Sequence, residues 1–133
     1  MSKKIIVFAA VFGMLAVIFG AFGAHGLKEL LSVEQLSSFE TGVKYQMYHA
    51  LMLLFVGMSQ QVSDKSKKVI LYLVTAGIVL FSGSIYLLST REILGVDVRS
   101  IGFITPIGGL LFISAWAILL ASALAKNHKI DKN

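Results

Sequence analysis

The sequence predicts an all-α membrane protein, an antiparallel four-helix transmembrane bundle with a short amphipathic segment between helices 1 and 2. Three observations predict it. Four apolar stretches, about residues 5–24, 43–61, 69–90 and 104–125, occupy most of the 133 residues. Each approaches the ~20 apolar residues an α-helix needs to cross a ~30 Å hydrocarbon core. The composition is 56% hydrophobic and only 14% charged, with a mean hydropathy of +0.82, whereas soluble chains carry about 25% charged residues. Third, the cations sort by loop. Eight lie on one side: Lys3 and Lys4, then Lys65, Lys67 and Lys68, then Lys126, Lys129 and Lys132. Four lie on the other: Lys28, Lys44, Arg91 and Arg99.

Short loops rich in Lys and Arg stay cytoplasmic. Both termini and the 62–68 loop therefore face the cytoplasm, while the 25–42 and 91–103 loops face outward. Four spans use nearly the whole length, so residues 1–133 read as a single domain. The net charge of +5 is a topology signal that suits anionic lipid headgroups and points away from nucleic acid. The absence of cysteine excludes disulfides, thiolate metal sites and cysteine nucleophiles.

The first stretch begins like a signal peptide, with Lys3-Lys4 before an apolar run and small residues near Ala21-Phe22-Gly23. Twenty uncharged residues exceed the 7–15 of a signal-peptide core, so an uncleaved helix is expected. Its Ala9, Gly13, Ala16, Gly20 and Gly23 fall on one stripe, the pattern that lets helix backbones approach closely in lipid. Ser32 with Gln35 three residues later reads as a capping box, and Glu34 suits the positive end of the helix dipole. A helix is thus expected from near Val33, with Leu36 and Phe39 on its apolar side. It either continues into the second span or breaks at Gly42.

On the second span Tyr45, Gln46 and His49 share an arc with Gly42, while Lys44 snorkels to the headgroups. The third span carries Thr75, Ser82, Tyr86 and Ser89 along one face. The fourth opens with Thr105 as N-cap and Pro106 at the first helical position. Gly108 and Gly109 follow as packing glycines. Trp116 lies on the face of Thr105 and Gly109, where core packing is expected and its N–H requires an acceptor.

This topology gathers His25, Tyr45, Gln46, His49, Ser82, Tyr86 and Thr105 in the outer third, with Glu40, Arg91 and Arg99 in the loops above. Polar groups in lipid must find partners, so one shared cluster is the economical arrangement, and it is the candidate binding site. Other chemistries fit poorly. His25 and His49 lie at different depths, which argues against bis-histidine haem ligation. No span carries a mid-depth carboxylate for a proton relay. Ser82 and His49 lack a close acid for hydrolysis. Two His and one Glu are thin for zinc. No catalytic residue, metal or cofactor is assigned. The cluster is expected to bind a small molecule, a lipid headgroup or a partner helix. The alternatives are an accessory or assembly subunit, in which the cluster is only structural, or a small transporter. Membrane lipids are the expected partners, together with another membrane protein or a second copy.

Four blocks also carry a resemblance: Gly20-Ala-Phe-Gly-Ala-His-Gly26, Phe39 to His49, Phe81-Ser-Gly-Ser-Ile-Tyr86, and Arg99 through Thr105-Pro-Ile-Gly-Gly109. They resemble the signature blocks of a family of small four-helix membrane proteins, domain of unknown function 423, also called uncharacterised protein family 0382. Trp116 fits its fourth-helix pattern. The resemblance spans nearly the whole chain. It implies a multi-pass protein of the bacterial plasma (inner) membrane and a four-helix fold, and carries no established activity or ligand.

Overall fold

The computed structural model describes residues 1–130, with side chains as far as residue 125. The side chains of Lys126, Lys129 and Lys132, three of the eight cations assigned to the cytoplasmic side, lie outside the described residues. Helix α1 (Ser2–Phe22) passes into a π-helical turn, Gly23–Leu27. Helix α2 runs over Val33–Met58. Helix α3 (Asp64–Gly77) continues through a second π-helical turn, Ile78–Gly83, into α4 (Ser84–Ser89). A short α5 (Arg91–Leu94) and a 3₁₀ turn (Arg99–Phe103) lead into α6 (Ile104–Ile130).

The capping box forms as expected. The Ser32 hydroxyl accepts from the Gln35 N–H, and the Gln35 side chain accepts from the Ser32 N–H. The helix it starts runs unbroken to Met58, so no separate amphipathic segment precedes the second long helix. Gly42 does not break it because the residue is a packing device. A Cβ there would lie 2.8 Å from the Tyr86 ring. The second stretch ends three residues early, at Met58, where Ser59 turns extended. The third begins five residues early, because the Ser63 hydroxyl caps Asp64–Gly77 by accepting from Ser66 N–H. Thr105 is not the cap of α6, which is already helical at Ile104; its hydroxyl turns instead to Ser84.

Close contacts fix the directions of the long helices. Along α1 and α2, Gly57 faces Ile5 and Ile6, Gly13 faces Ala50, Gly20 faces Val43 and Gly23 faces Phe39. The two are antiparallel over their whole length, with the expected small-residue stripe at the seam. Gly77 against Phe112 and Gly108 against Phe81 make α3–α4 and α6 antiparallel in the same way. The Lys67 ammonium donates to the Ser2 hydroxyl at 3.0 Å, and Phe19 packs on Tyr86 at 5.1 Å between ring centroids, so α1 and α3–α4 run together.

One apolar core holds Ile5, Leu53, Val56, Ile70, Val74 and Phe112. A smaller one at the opposite end joins Leu27, Leu31 and Phe39 with Tyr86 packed against it. Large apolar side chains such as Val17, Leu51, Phe55, Leu110 and Leu120 face outward, the exterior a hydrocarbon solvent requires. Three helical stretches are long and apolar enough to cross a membrane: Ser2–Leu27, Asp64–Ser89 and Arg99–Ala125. The 26-residue α2 is not among them, and Lys44, Gln46 and His49 interrupt its apolar run.

Candidate functional site

Helix α2 is the hub of a polar network in the half of the fold near the 25–42 loop. The Gln46 amide nitrogen donates to the Phe12 carbonyl of α1 at 2.9 Å. Its oxygen accepts from the Tyr86 hydroxyl of α4 at 2.7 Å. Both ends of a buried amide are thereby used, as its burial in an apolar interior requires. The Tyr86 ring is held between Phe19 and Phe39, at 5.1 and 5.0 Å. Ser82, fully buried, donates to the Gly42 carbonyl at 2.7 Å. That carbonyl is reachable because residue 42 carries no side chain. Ser84 and Thr105 share a hydrogen bond that ties α4 to α6.

His49 sits one turn further along α2 and is 3% exposed. Its Nδ1 lies 2.7 Å from the Tyr45 carbonyl, and its Nε2 accepts from the Trp116 indole N–H at 3.2 Å. An indole N–H only donates and a carbonyl only accepts. The two bonds together therefore define a neutral imidazole protonated at Nδ1. The ring lies flat on Phe112, with centroids 3.6 Å apart and planes 13° apart.

Gln46, His49, Ser82, Tyr86 and Thr105 thus enter the network as side chains. Tyr45 enters through its carbonyl, while its half-exposed ring packs on Phe81. His49 is partnered by Trp116, and makes no hydrogen bond to Ser82, Tyr86 or Thr105. His25, Glu40 and Arg99 are exposed and stay outside. Arg99 instead pairs with Asp97, Nε to Oδ1 at 3.2 Å, and this hydrogen bond holds the Asp97 carboxyl below its ordinary range. Trp116 departs from the core role expected of it. It is 48% exposed, presenting its ring outward and its N–H inward.

Of the packing glycines, Gly108 makes the closest approach, to the Phe81 backbone. A Cβ at Gly23 would lie 3.1 Å from the Phe39 ring and one at Gly20 would lie 3.4 Å from Val43, while Gly13 and Gly109 have room for a methyl group. Sequence reasoning passed over Ser84, Trp116 and Phe112 as site residues and Gly57 and Gly77 as packing glycines. For Trp116 part of the signal was available, an indole N–H at membrane depth that needs an acceptor, but not which residue supplies it.

The geometry defines a class, a helical membrane protein whose long helices are cross-tied by buried hydrogen bonds. The chain belongs to the family described as "Protein of unknown function (DUF423)", whose model matches residues 19–109. It is 45% identical to a UPF0382 membrane protein of Staphylococcus saprophyticus, over 89% of this chain and 94% of the relative. It is 42% identical to the UPF0382 membrane protein YwdK of Bacillus subtilis, over 92% and 97%. It is also 35% identical to the UPF0382 inner membrane protein YgdD of Escherichia coli K12, over 96% and 95%. No solved structure matches the chain.

Proposed function

We propose that the chain is a non-enzymatic four-span protein of the bacterial plasma membrane, with both termini cytoplasmic. In this reading it is an antiparallel four-helix transmembrane bundle. Its buried polar cluster is a lock between helices, and it works by binding at its surface near the outer end. Support for the fourth span comes from α2 pairing antiparallel with α1 from Gly57 to Phe39. At 1.5 Å per residue, a 26-residue helix reaches about 39 Å, so α2 accompanies α1 across whatever thickness α1 crosses. The polar side chains that dilute its hydropathy turn inward to partners, the arrangement expected of polar groups in a membrane. Orientation follows from the eight-to-four division of cations between loops, and the inner-membrane assignment from the E. coli relative's name.

The observation that carries the lock reading is saturation. Gln46, His49, Ser82 and Tyr86 each hold a partner within the protein. The histidine has no free nitrogen to act as a base, and the Ser82 hydroxyl is already donating. A double-mutant cycle tests this. Gln46→Leu and Tyr86→Phe, singly and together, are expected to show coupling in unfolding free energy of about 0.6–2 kcal/mol, the span for interhelical hydrogen bonds in membranes. Zero coupling overturns the lock.

Topology is tested separately by single cysteines, since the chain has none of its own. An impermeant maleimide added to intact spheroplasts should label Val96→Cys and spare Gln61→Cys. The reverse pattern inverts the protein.

A second reading, an accessory subunit that docks a transmembrane helix of a larger complex, draws on an apolar groove of about 330 Å³ along α1 and α2. Gly13, Met14, Val17, Met47 and Leu51 line it. Met14→Trp should then release the chain from that complex without lowering its own stability.

A further inference from the structure

A second, more polar groove opens at the end of the fold that carries the 25–42 and 91–103 loops. It holds about 400 Å³ between the first turns of α2 and the junction of α4 with α5, over a floor of Ile85 and Leu88. Its walls carry one acid and one base, Glu34 and Arg91. Among the described residues the ion pair is Arg99 with Asp97, so Glu34 and Arg91 share the groove without neutralising each other. Arg91 uses Nη1 on the Leu88 carbonyl at 2.8 Å, which leaves its remaining N–H groups for another acceptor. The hydroxyls of Ser89 and Thr105, also at the groove, are committed to the Ile85 carbonyl and to Ser84. Gln35 and Ser38 line it too, with the Gln35 oxygen taken by the Ser32 N–H, and Glu34 and Arg91 are its two charged recognition groups.

The groove also sits at a defined depth. Ser89 is the last residue of one apolar membrane-crossing stretch, and Thr105 lies near the start of another. A site where two such stretches end is at the boundary between hydrocarbon and headgroup. A phosphate there meets a guanidinium that forms strong charge-assisted hydrogen bonds, an ammonium meets a carboxylate, and a glycerol or acyl segment meets Ile85 and Leu88. We propose that this groove binds a phosphoethanolamine group, phosphate on Arg91 and ammonium on Glu34. The proposal rests on the surface-binding reading above. It is tested independently of the lock and of topology.

The experiment uses the full chain, purified in detergent and stripped of lipid, and measures binding by native mass spectrometry. The probes are short-chain phosphatidylethanolamine, short-chain phosphatidylglycerol and free O-phosphoethanolamine. Wild type is expected to prefer phosphatidylethanolamine over phosphatidylglycerol by about tenfold or more, the worth of one charge-assisted hydrogen bond. Glu34→Gln should abolish that preference while retaining binding of both lipids. Arg91→Gln should weaken both by a similar factor, and Arg91→Lys should recover part of it. Competition by O-phosphoethanolamine at matched concentration makes the free headgroup the ligand; failure to compete, with the lipid preference intact, makes the lipid the ligand. Equal binding of the two lipids to wild type overturns the proposal, and so does an unchanged preference in folded Glu34→Gln. Because Glu34 is exposed and its glutamine keeps the helix-start geometry, loss of folding is not expected to obscure the result.

Discussion

Replacing Gly108 with alanine tests the tightest helix contact. A Cβ at that position would stand 2.8 Å from the Cα and Cβ of Phe81 and closer still to its backbone nitrogen. Ordinary contact begins at 3.4 Å, so α6 must withdraw from the Ile78–Gly83 turn by about 0.6 Å or more. The obstacle is backbone, which has no rotamer to swing away. Forcing a methylene into a packed interior costs about 1–3 kcal/mol. Withdrawal also lengthens the nearby Ser84–Thr105 hydrogen bond, whose kind is worth about 0.6 kcal/mol on average in membranes. Alanine returns roughly 0.5–1 kcal/mol over glycine in a helix interior. The net expectation is a loss of about 1–3 kcal/mol. Gly13→Ala is the matched control. Its Cβ would rest 3.9 Å from the Ala50 Cβ, ordinary contact, so only the helix gain of up to about 1 kcal/mol applies. Both are read by reversible unfolding of the purified protein in mixed detergent micelles. If Gly108→Ala proves as stable as Gly13→Ala, α6 does not approach the α3–α4 turn as described, and the reasoning fails.

Three further outcomes are expected. Nitrogen-15 NMR of histidine-labelled protein should find His49 protonated at Nδ1 and bare at Nε2, because Nε2 accepts from Trp116; a proton on Nε2 rejects that pairing. Trp116→Phe should cost about 1 kcal/mol, the usual worth of a hydrogen bond whose acceptor is left buried, while His49→Leu combined with it should add less than the two losses summed; strict additivity separates the residues. In the exposed loop, the Asp97 carboxyl should titrate below its ordinary ~3.9 and rise towards it in Arg99→Gln, read by carboxyl NMR. A depressed carboxyl adds stability above its unfolded pKa and loses it as pH falls through the folded value. The pair is fully exposed, so unfolding should show no matching acid-side change; a clear one would place the pair in a more buried setting.

Much of this protein was legible in its residues alone, and the divide follows a physical line. The all-helical membrane character, the capping box at Ser32, the Gly20 and Gly23 seam, and the shared faces of Gln46 with His49 and of Ser82 with Tyr86 all follow from properties read along one helix: hydropathy, 3.6-residue periodicity and local caps. What depends on a neighbour was not legible. Gly42 reads equally as a break or as a residue the helix runs through, and only the Tyr86 ring packed against it shows why α2 runs on. Ser82 and Gln46 bond backbone carbonyls of Gly42 and Phe12, and every residue offers a carbonyl, so such acceptors leave no mark in the sequence. Thr105 looks like an N-cap because its local chemistry permits one, yet Ser84 of another helix takes the hydroxyl. Periodicity sets the azimuth of a side chain on its own helix. The partner it meets depends on how far the helices slide and rotate against each other, and here close contacts at Gly42, Gly77 and Gly108 set that, which is why Trp116 reaches His49 while His25 stays exposed.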